Sequence, residues 1–80
     1  MKILVVEDEQ KVASFIQRGL EGEGFTVDLA SDGEEGVAMG QQNHDDLILM
    51  DIMLPKMDGL SAVKALRQNN VVAPVLCLTA

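Results

Sequence analysis

Four short apolar runs divide the chain: Ile3-Leu4-Val5-Val6, Phe25 to Ala30, Leu47-Ile48-Leu49-Met50, and Val75 to Thr79. The first and third are uninterrupted by polar residues, the pattern of strands buried on both faces inside a parallel sheet. Phe25-Thr26-Val27-Asp28-Leu29-Ala30 alternates, which suits a strand with one less buried end. Pro74 cannot sit within a central strand, so the last run starts at Val75. Between the runs the period changes. Val12, Phe15, Ile16 and Leu20 recur at helical spacing before Gly22 and Gly24, which predicts an amphipathic helix with those four side chains on its buried face. Ser31-Asp32-Gly33-Glu34 has the Ser-x-x-Glu spacing of a capping box and predicts a second helix over Glu34 to Gln42. Gly36 and Gly40 each cost about 1 kcal/mol there relative to Ala, so this helix is expected to be the weakest and to be mobile. Asp58 is placed to cap a third helix through Arg67, with Leu60, Val63 and Leu66 inward and Asn69-Asn70 as its stop.

Strand and helix thus alternate as βαβαβαβ. Right-handed crossovers turn that order into an α/β fold, a doubly wound open parallel sheet with helices on both faces. Ligands of such sheets bind beyond the carboxyl ends of the strands. Glu7 and Asp8 follow the first run directly, Asp51 follows the third, and Thr79 ends the fourth. Carboxylates gathered on one rim repel one another and raise one another's pKa unless a cation lies between them. Oxygen ligands with no His or Cys nearby suit Mg²⁺, and Mg²⁺ beside a strand-end Asp suits phosphoryl transfer with the Asp as nucleophile. Each residue also has a plainer reading. Glu7, Asp8 and Glu9 would complement the dipole of the following helix, and Asp51 alone would be a loop acid. Thr79 would be a β-former, His44 a solvated loop residue, Cys77 core, and Met50 and Met57 gap-fillers.

Composition narrows the function classes. Eighty residues make one small domain, and 48% hydrophobic with 24% charged residues is a globular balance rather than a disordered one. Thirteen acids against six scattered bases, a net charge of −7, provide no basic stripe for phosphates, so direct nucleic-acid binding is not expected. A single cysteine allows neither a disulfide framework nor a thiolate metal site and fits a reducing compartment. The first apolar run is too short for a signal peptide or a membrane span, and a cytoplasmic location is expected.

Five stretches together are distinctive: Ile-Leu-Val-Val-Glu-Asp-Glu at 3 to 9, Ser-Asp-Gly-Glu-Glu at 31 to 35, Asp-Leu-Ile-Leu-Met-Asp-Ile-Met-Leu-Pro at 46 to 55, Asp-Gly at 58 and 59, and Leu-Thr-Ala at 78 to 80. They span the chain, which resembles the receiver domain of two-component response regulators, the CheY-like family, and most closely its OmpR/PhoB subfamily. The run Val-Asp-Leu-Ala-Ser-Asp-Gly looks like the heavy-metal or envelope-stress members of that subfamily. The resemblance implies a flavodoxin-like strand order of 2-1-3-4-5. It implies Asp51 as phosphoacceptor, Asp8 and Asp51 as carboxylates on Mg²⁺, Glu7 acting through a water, and the Met53 carbonyl as a further ligand. Thr79 would hydrogen-bond the phosphoryl group, Ala80 would leave room for it, and Pro55 and Gly59 would shape the loop after the acceptor. A sensor histidine kinase would be the phosphodonor, and a winged-helix DNA-binding domain would be the output.

The same resemblance places a further helix, a fifth strand ending in a functional Lys, and a last helix beyond Ala80. Residues 1 to 80 would then be the N-terminal two-thirds of a receiver, with no DNA-binding domain. Lys56 and Lys64 do not stand where that Lys belongs. A polypeptide ending at Ala80 would leave its last strand as a bare apolar edge and is expected to self-associate, as a homodimer or otherwise. Three rival readings carry less. A haloacid-dehalogenase-type phosphohydrolase wants a second Asp two residues after the nucleophile, where this chain has Met53. A flavodoxin-like flavin carrier needs anion-friendly donors where Glu7-Asp8-Glu9 stand. A phosphorylation-independent interaction module would keep the acids without using them.

Overall fold

Ile3 to Val6 are all at most 2% exposed, as an apolar run paired on both sides must be. In the computed structural model, which describes residues 1–78, this run forms the second strand of a four-stranded sheet. Thr79 and Ala80, with the roles expected of them, lie outside the described residues. The elements are β1 (Lys2–Val6), α1 (Gln10–Gly22), β2 (Thr26–Ala30), α2 (Gly33–Asn43), β3 (Leu47–Asp51), α3 (Gly59–Gln68) and β4 (Val75–Leu78). The strands run parallel in the order β2-β1-β3-β4, so the α/β doubly wound arrangement expected from the sequence is the one observed.

Successive residues of β1 serve opposite faces. Leu4 and Val6 join Ile48, Met50, Ala62 and Leu66 in a core beneath α2 and α3, whereas Ile3 and Val5 join Val27, Ile16 and Leu20 beneath α1. Two sequence expectations are corrected by this packing. On α1, Phe15 is 75% exposed and Val12 lies at the surface, while Ala13 is buried and Ile16 and Leu20 pack on the sheet. The seam is therefore Ala13-Ile16-Leu20, because α1 crosses β1 and β2. The β4 side of that face has no helix among the described residues, and Leu76 there is exposed as well. On α3, Leu60 in the first turn is exposed, and the buried pair is Ala62 and Leu66, four residues apart, with Val63 half-buried.

On α2 the two interior glycines have a packing role. A Cβ at Gly36 would lie 2.8 Å from Val6 Cγ2, and one at Gly40 would lie 2.7 Å from Leu66 Cδ2. These glycines let the helix approach β1 and α3 closely, contacts that a larger residue would obstruct. The cap also falls one residue later than the sequence implied. The Asp32 carboxylate accepts the Glu35 N–H at 2.8 Å, and the Glu35 carboxylate accepts the Ser31 N–H at 3.3 Å. The cap of α3 is as read: Asp58 accepts the Ser61 N–H at 2.8 Å and the Ser61 hydroxyl at 3.0 Å. Beyond α3, Asn70 turns the chain at φ 64, and the Arg67 guanidinium donates to the carbonyls of Val71 and Ala73 at 2.7 and 2.8 Å.

Candidate functional site

Strands β1 and β3 are neighbours, and Val6 pairs with Met50, so the residues that follow each leave the sheet at the same level. That register brings the two acidic strand ends together. Glu7, Asp8 and Asp51 each present a carboxylate oxygen within 4.8 Å of the others. Glu7 and Asp51 are half-buried and Asp8 is exposed, so the cluster opens to solvent on the Asp8 side. Backbone amides fix two of the three. Glu7 Oε2 accepts the Glu9 N–H at 3.0 Å, and Asp51 Oδ1 accepts the Met53 N–H at 3.0 Å. The main chain holds the rim in turn, with the Glu7 N–H donating to the Ala30 carbonyl at 3.0 Å and the Ile52 N–H to the Leu78 carbonyl at 3.2 Å.

The electrostatics are those of a cluster lacking a counter-charge. Burial pushes the Glu7 pKa above its ordinary value. A side-chain hydrogen bond with Asp8 and the charges of Asp51 and Asp8 push the same way, against the Glu9 N–H, which favours the anion. Among the described residues the ion pairs lie elsewhere: Lys2 with Asp28 at 3.5 Å and Lys56 with Asp32 at 3.5 Å. Lys56 is thus engaged at the start of α2, consistent with the reading that it does not serve the acid cluster.

Three recesses border the acids, and two of them reach Asp51 or the loop after it. One is lined by Glu7, Asp8, Val12, Ile16, Asp51 and Leu78. The other is lined by Asp8, Ile52, Met53, Leu54, Pro55 and Leu60, where Met53 is 79% exposed in the loop directly after Asp51. Carboxylate oxygens this close, with no nitrogen or sulfur ligand in the group, are a donor set for a hard divalent cation. The sequence therefore named the three acids that the fold brings together. It missed Asp45, read as part of a polar loop but buried with both carboxylate oxygens unpartnered, and it missed the pairing of Lys56 with Asp32. Neither carries a local signal, because each depends on segments that meet only in the fold.

Comparison with known proteins agrees with this geometry. The family model described as response regulator receiver domain matches residues 3–80. The alkaline phosphatase synthesis transcriptional regulatory protein PhoP of Bacillus subtilis is 47% identical over 79 residues, 99% of this chain and 33% of its own length. The transcriptional regulatory protein CusR of Escherichia coli is 45% identical over 80 residues, 100% of this chain and 35% of its own. The chain thus spans about a third of the length of the curated relatives it matches. Among solved structures, the receiver domain of the Francisella response regulator 1452 superposes with a TM-score of 0.93 at 39% identity, covering 99% of this chain and 65% of that one. The receiver domain of the sensor histidine kinase PA1611 from Pseudomonas aeruginosa gives 0.93 at 37% identity, covering 99% and 66%, and was solved with a magnesium ion coordinated in its active site cleft. A parallel sheet in the order β2-β1-β3-β4, acids converging at its carboxyl rim and a family match over nearly every residue lead to one conclusion: the chain belongs to the response regulator receiver domain family, alongside transcriptional regulators of the OmpR/PhoB type.

Proposed function

We propose that this chain is the phosphoacceptor part of a transcriptional response regulator, with Asp51 taking a phosphoryl group from a sensor histidine kinase. The observation that carries the reading is the convergence of Glu7, Asp8 and Asp51 on one rim, with Asp51 as the last residue of the interior strand β3 facing the acid pair that follows β1. Asp8 and Asp51 would hold Mg²⁺ with the Met53 carbonyl, and Glu7 would reach it through a water. The ion would supply positive charge against the phosphoryl oxygens. Asp51 has one oxygen bound to the Met53 N–H, and its other oxygen is the nucleophile. That oxygen forms the new O–P bond as the bond from phosphorus to the donor imidazole breaks, the electron pair returning to nitrogen. Thr79 would hydrogen-bond the transferred group and report its arrival. Output would be DNA binding by a separate domain, in the cytoplasm, with the domain acting as a signalling element rather than an enzyme on external substrates.

Acetyl phosphate with Mg²⁺ tests the assignment. The protein should gain one phosphoryl mass, and Asp51→Asn should abolish the gain while leaving the circular dichroism spectrum unchanged. Labelling that persists in Asp51→Asn would place the acceptor elsewhere. Absence of labelling in the wild type would favour the phosphorylation-independent interaction module.

A further inference from the structure

The loop that follows Asp51 is held at three places, and one of them belongs to a helix that contributes nothing to the acid cluster. At its start the Met53 N–H is bound to Asp51 Oδ1. At its end the Gly59 N–H donates to the Ile52 carbonyl at 2.7 Å, closing the loop onto α3. Between these, the first turn of α2 lies directly against it. A Cβ built on Gly33 would fall 2.8 Å from Met57 Cβ and would collide with the Met57 carbonyl oxygen. Both obstacles are parts of the main chain or rigidly attached to it, so a side chain at this position cannot be accommodated by a rotamer change. Lys56, the residue before Met57, takes the left-handed conformation at φ 68 and reaches back to Asp32, its Nζ 3.5 Å from Oδ2. A non-glycine residue adopts that conformation only where its surroundings impose it. The Asp32 carboxylate is itself fixed as the N-cap of α2 by the Glu35 N–H. Loop and helix therefore meet through an enforced steric fit at Gly33 and a charge pair one residue to its side.

We propose that the first turn of α2, through Gly33 and the Asp32–Lys56 pair, is a positioning device for the acceptor loop. It sets where Met53 stands relative to Glu7, Asp8 and Asp51, and so sets metal affinity. The inference rests on the reading of the acid cluster as a Mg²⁺ site and goes beyond it by assigning a role to residues that touch neither metal nor acceptor. A main-chain ligand has no rotamer with which to recover if its loop shifts. Displacement of the loop by a fraction of an ångström at Met57 is therefore felt at Met53. Supporting groups around metal sites cost 10- to 100-fold in affinity when removed, and the lower end of that range applies to a loop with two other anchors.

The experiment measures Mg²⁺ binding by titration calorimetry, together with the Mg²⁺ dependence of acetyl phosphate labelling, in four proteins: wild type, Gly33→Ala, Lys56→Gly and Gly40→Ala. Gly33→Ala should raise the Mg²⁺ Kd about tenfold and shift the labelling curve to higher Mg²⁺, with the maximal rate recovered at saturation. Lys56→Gly removes the charge pair and frees the loop without intruding on α2, and should raise Kd a few-fold. Gly40→Ala is the structural control, because Gly40 lies at the far end of α2 and its Cβ would press on Leu66 of α3, and it should lower the melting temperature without moving Kd. A folded Gly33→Ala protein with wild-type Kd, or equal losses in Gly33→Ala and Gly40→Ala, overturns the proposal. Should Gly33→Ala fail to fold, an unchanged Kd in Lys56→Gly overturns it. A wild type that binds no Mg²⁺ overturns instead the metal-site reading beneath it.

Discussion

Replacing Asp45 by Asn should stabilise the domain, and by more as the pH rises. Asp45 lies between the end of α2, where His44 turns the chain at φ 53, and the start of β3. It is 8% exposed, and neither carboxylate oxygen has a hydrogen-bond partner among the described residues. Burial raises its pKa above the ordinary value; the charges of Asp28 and Asp46 add to the rise and Lys2 opposes it. Lys2 is already divided, its Nζ lying 3.5 Å from Asp28 and donating to the Asn43 carbonyl at 3.2 Å. A carboxyl whose folded pKa exceeds its unfolded value binds more protons in the native state. Its contribution is therefore most favourable below the unfolded value of 3.8 and is lost as the pH climbs through the folded one. At neutral pH the folded protein carries an unpartnered, poorly solvated charge. Leaving a buried polar group unpaired costs about 1–3 kcal/mol, and an Asn amide would still bear part of that, so the expected gain at pH 7 is about 1–2 kcal/mol. In a domain of this size that corresponds to a rise of roughly 4–16 °C in melting temperature. Urea denaturation in EDTA between pH 4 and pH 8 reads the effect, since EDTA removes any metal contribution at Glu7. The difference between variant and wild type should widen across that range. A difference that does not change with pH, or a variant less stable at pH 8, would refute the reasoning.

Four further outcomes follow from the same structure. Millimolar Mg²⁺ should raise the melting temperature, by an amount that reaches about 2.7 kcal/mol when free Mg²⁺ is one hundred times Kd. Asp8→Ala should raise the metal-free melting temperature, by relieving repulsion, and abolish the Mg²⁺ response; a wild type indifferent to EDTA would contradict the metal response, and an unchanged metal-free melting temperature in Asp8→Ala would contradict the repulsion. Asp58, whose pKa is lowered by the Ser61 N–H and hydroxyl, stabilises α3 above its unfolded value of 3.8 and loses that role as the pH falls through its lowered folded value. Asp58→Ala should accordingly destabilise the protein at pH 7 and flatten the acid limb of its stability profile, and an acid limb identical to wild type would count against the cap. A polypeptide of residues 1–80 alone should self-associate through β4, the sheet edge on which Leu76 is 55% exposed, and Leu76→Lys should reduce the association seen by sedimentation.

What the sequence made legible and what it hid divide along a physical line. A strand buried on both faces must be apolar at every position, so Ile3 to Val6 and Leu47 to Met50 announce themselves from a few adjacent residues. The acids that end those runs inherit their placement from the register of β1 on β3, which is why Glu7, Asp8 and Asp51 could be named together before the fold was known. A helix is different, because its apolar period says that one face is buried without fixing the phase. Phe15 and Leu60 fit their stripes as well as Ile16 and Leu66, yet they are exposed, since the strands each helix crosses decide which residues are covered. Glycine is harder still. By propensity Gly36 and Gly40 weaken α2, whereas in the fold each marks a surface that another element occupies, and Gly33 does so at the acceptor loop. Chemistry carried by strand ends can thus be read locally, while the contacts that hold it in place arise between segments distant in the chain. Substitutions that tune the site without touching it should consequently concentrate at those contacts, in the first turn of α2 and in the loop from Ile52 to Asp58.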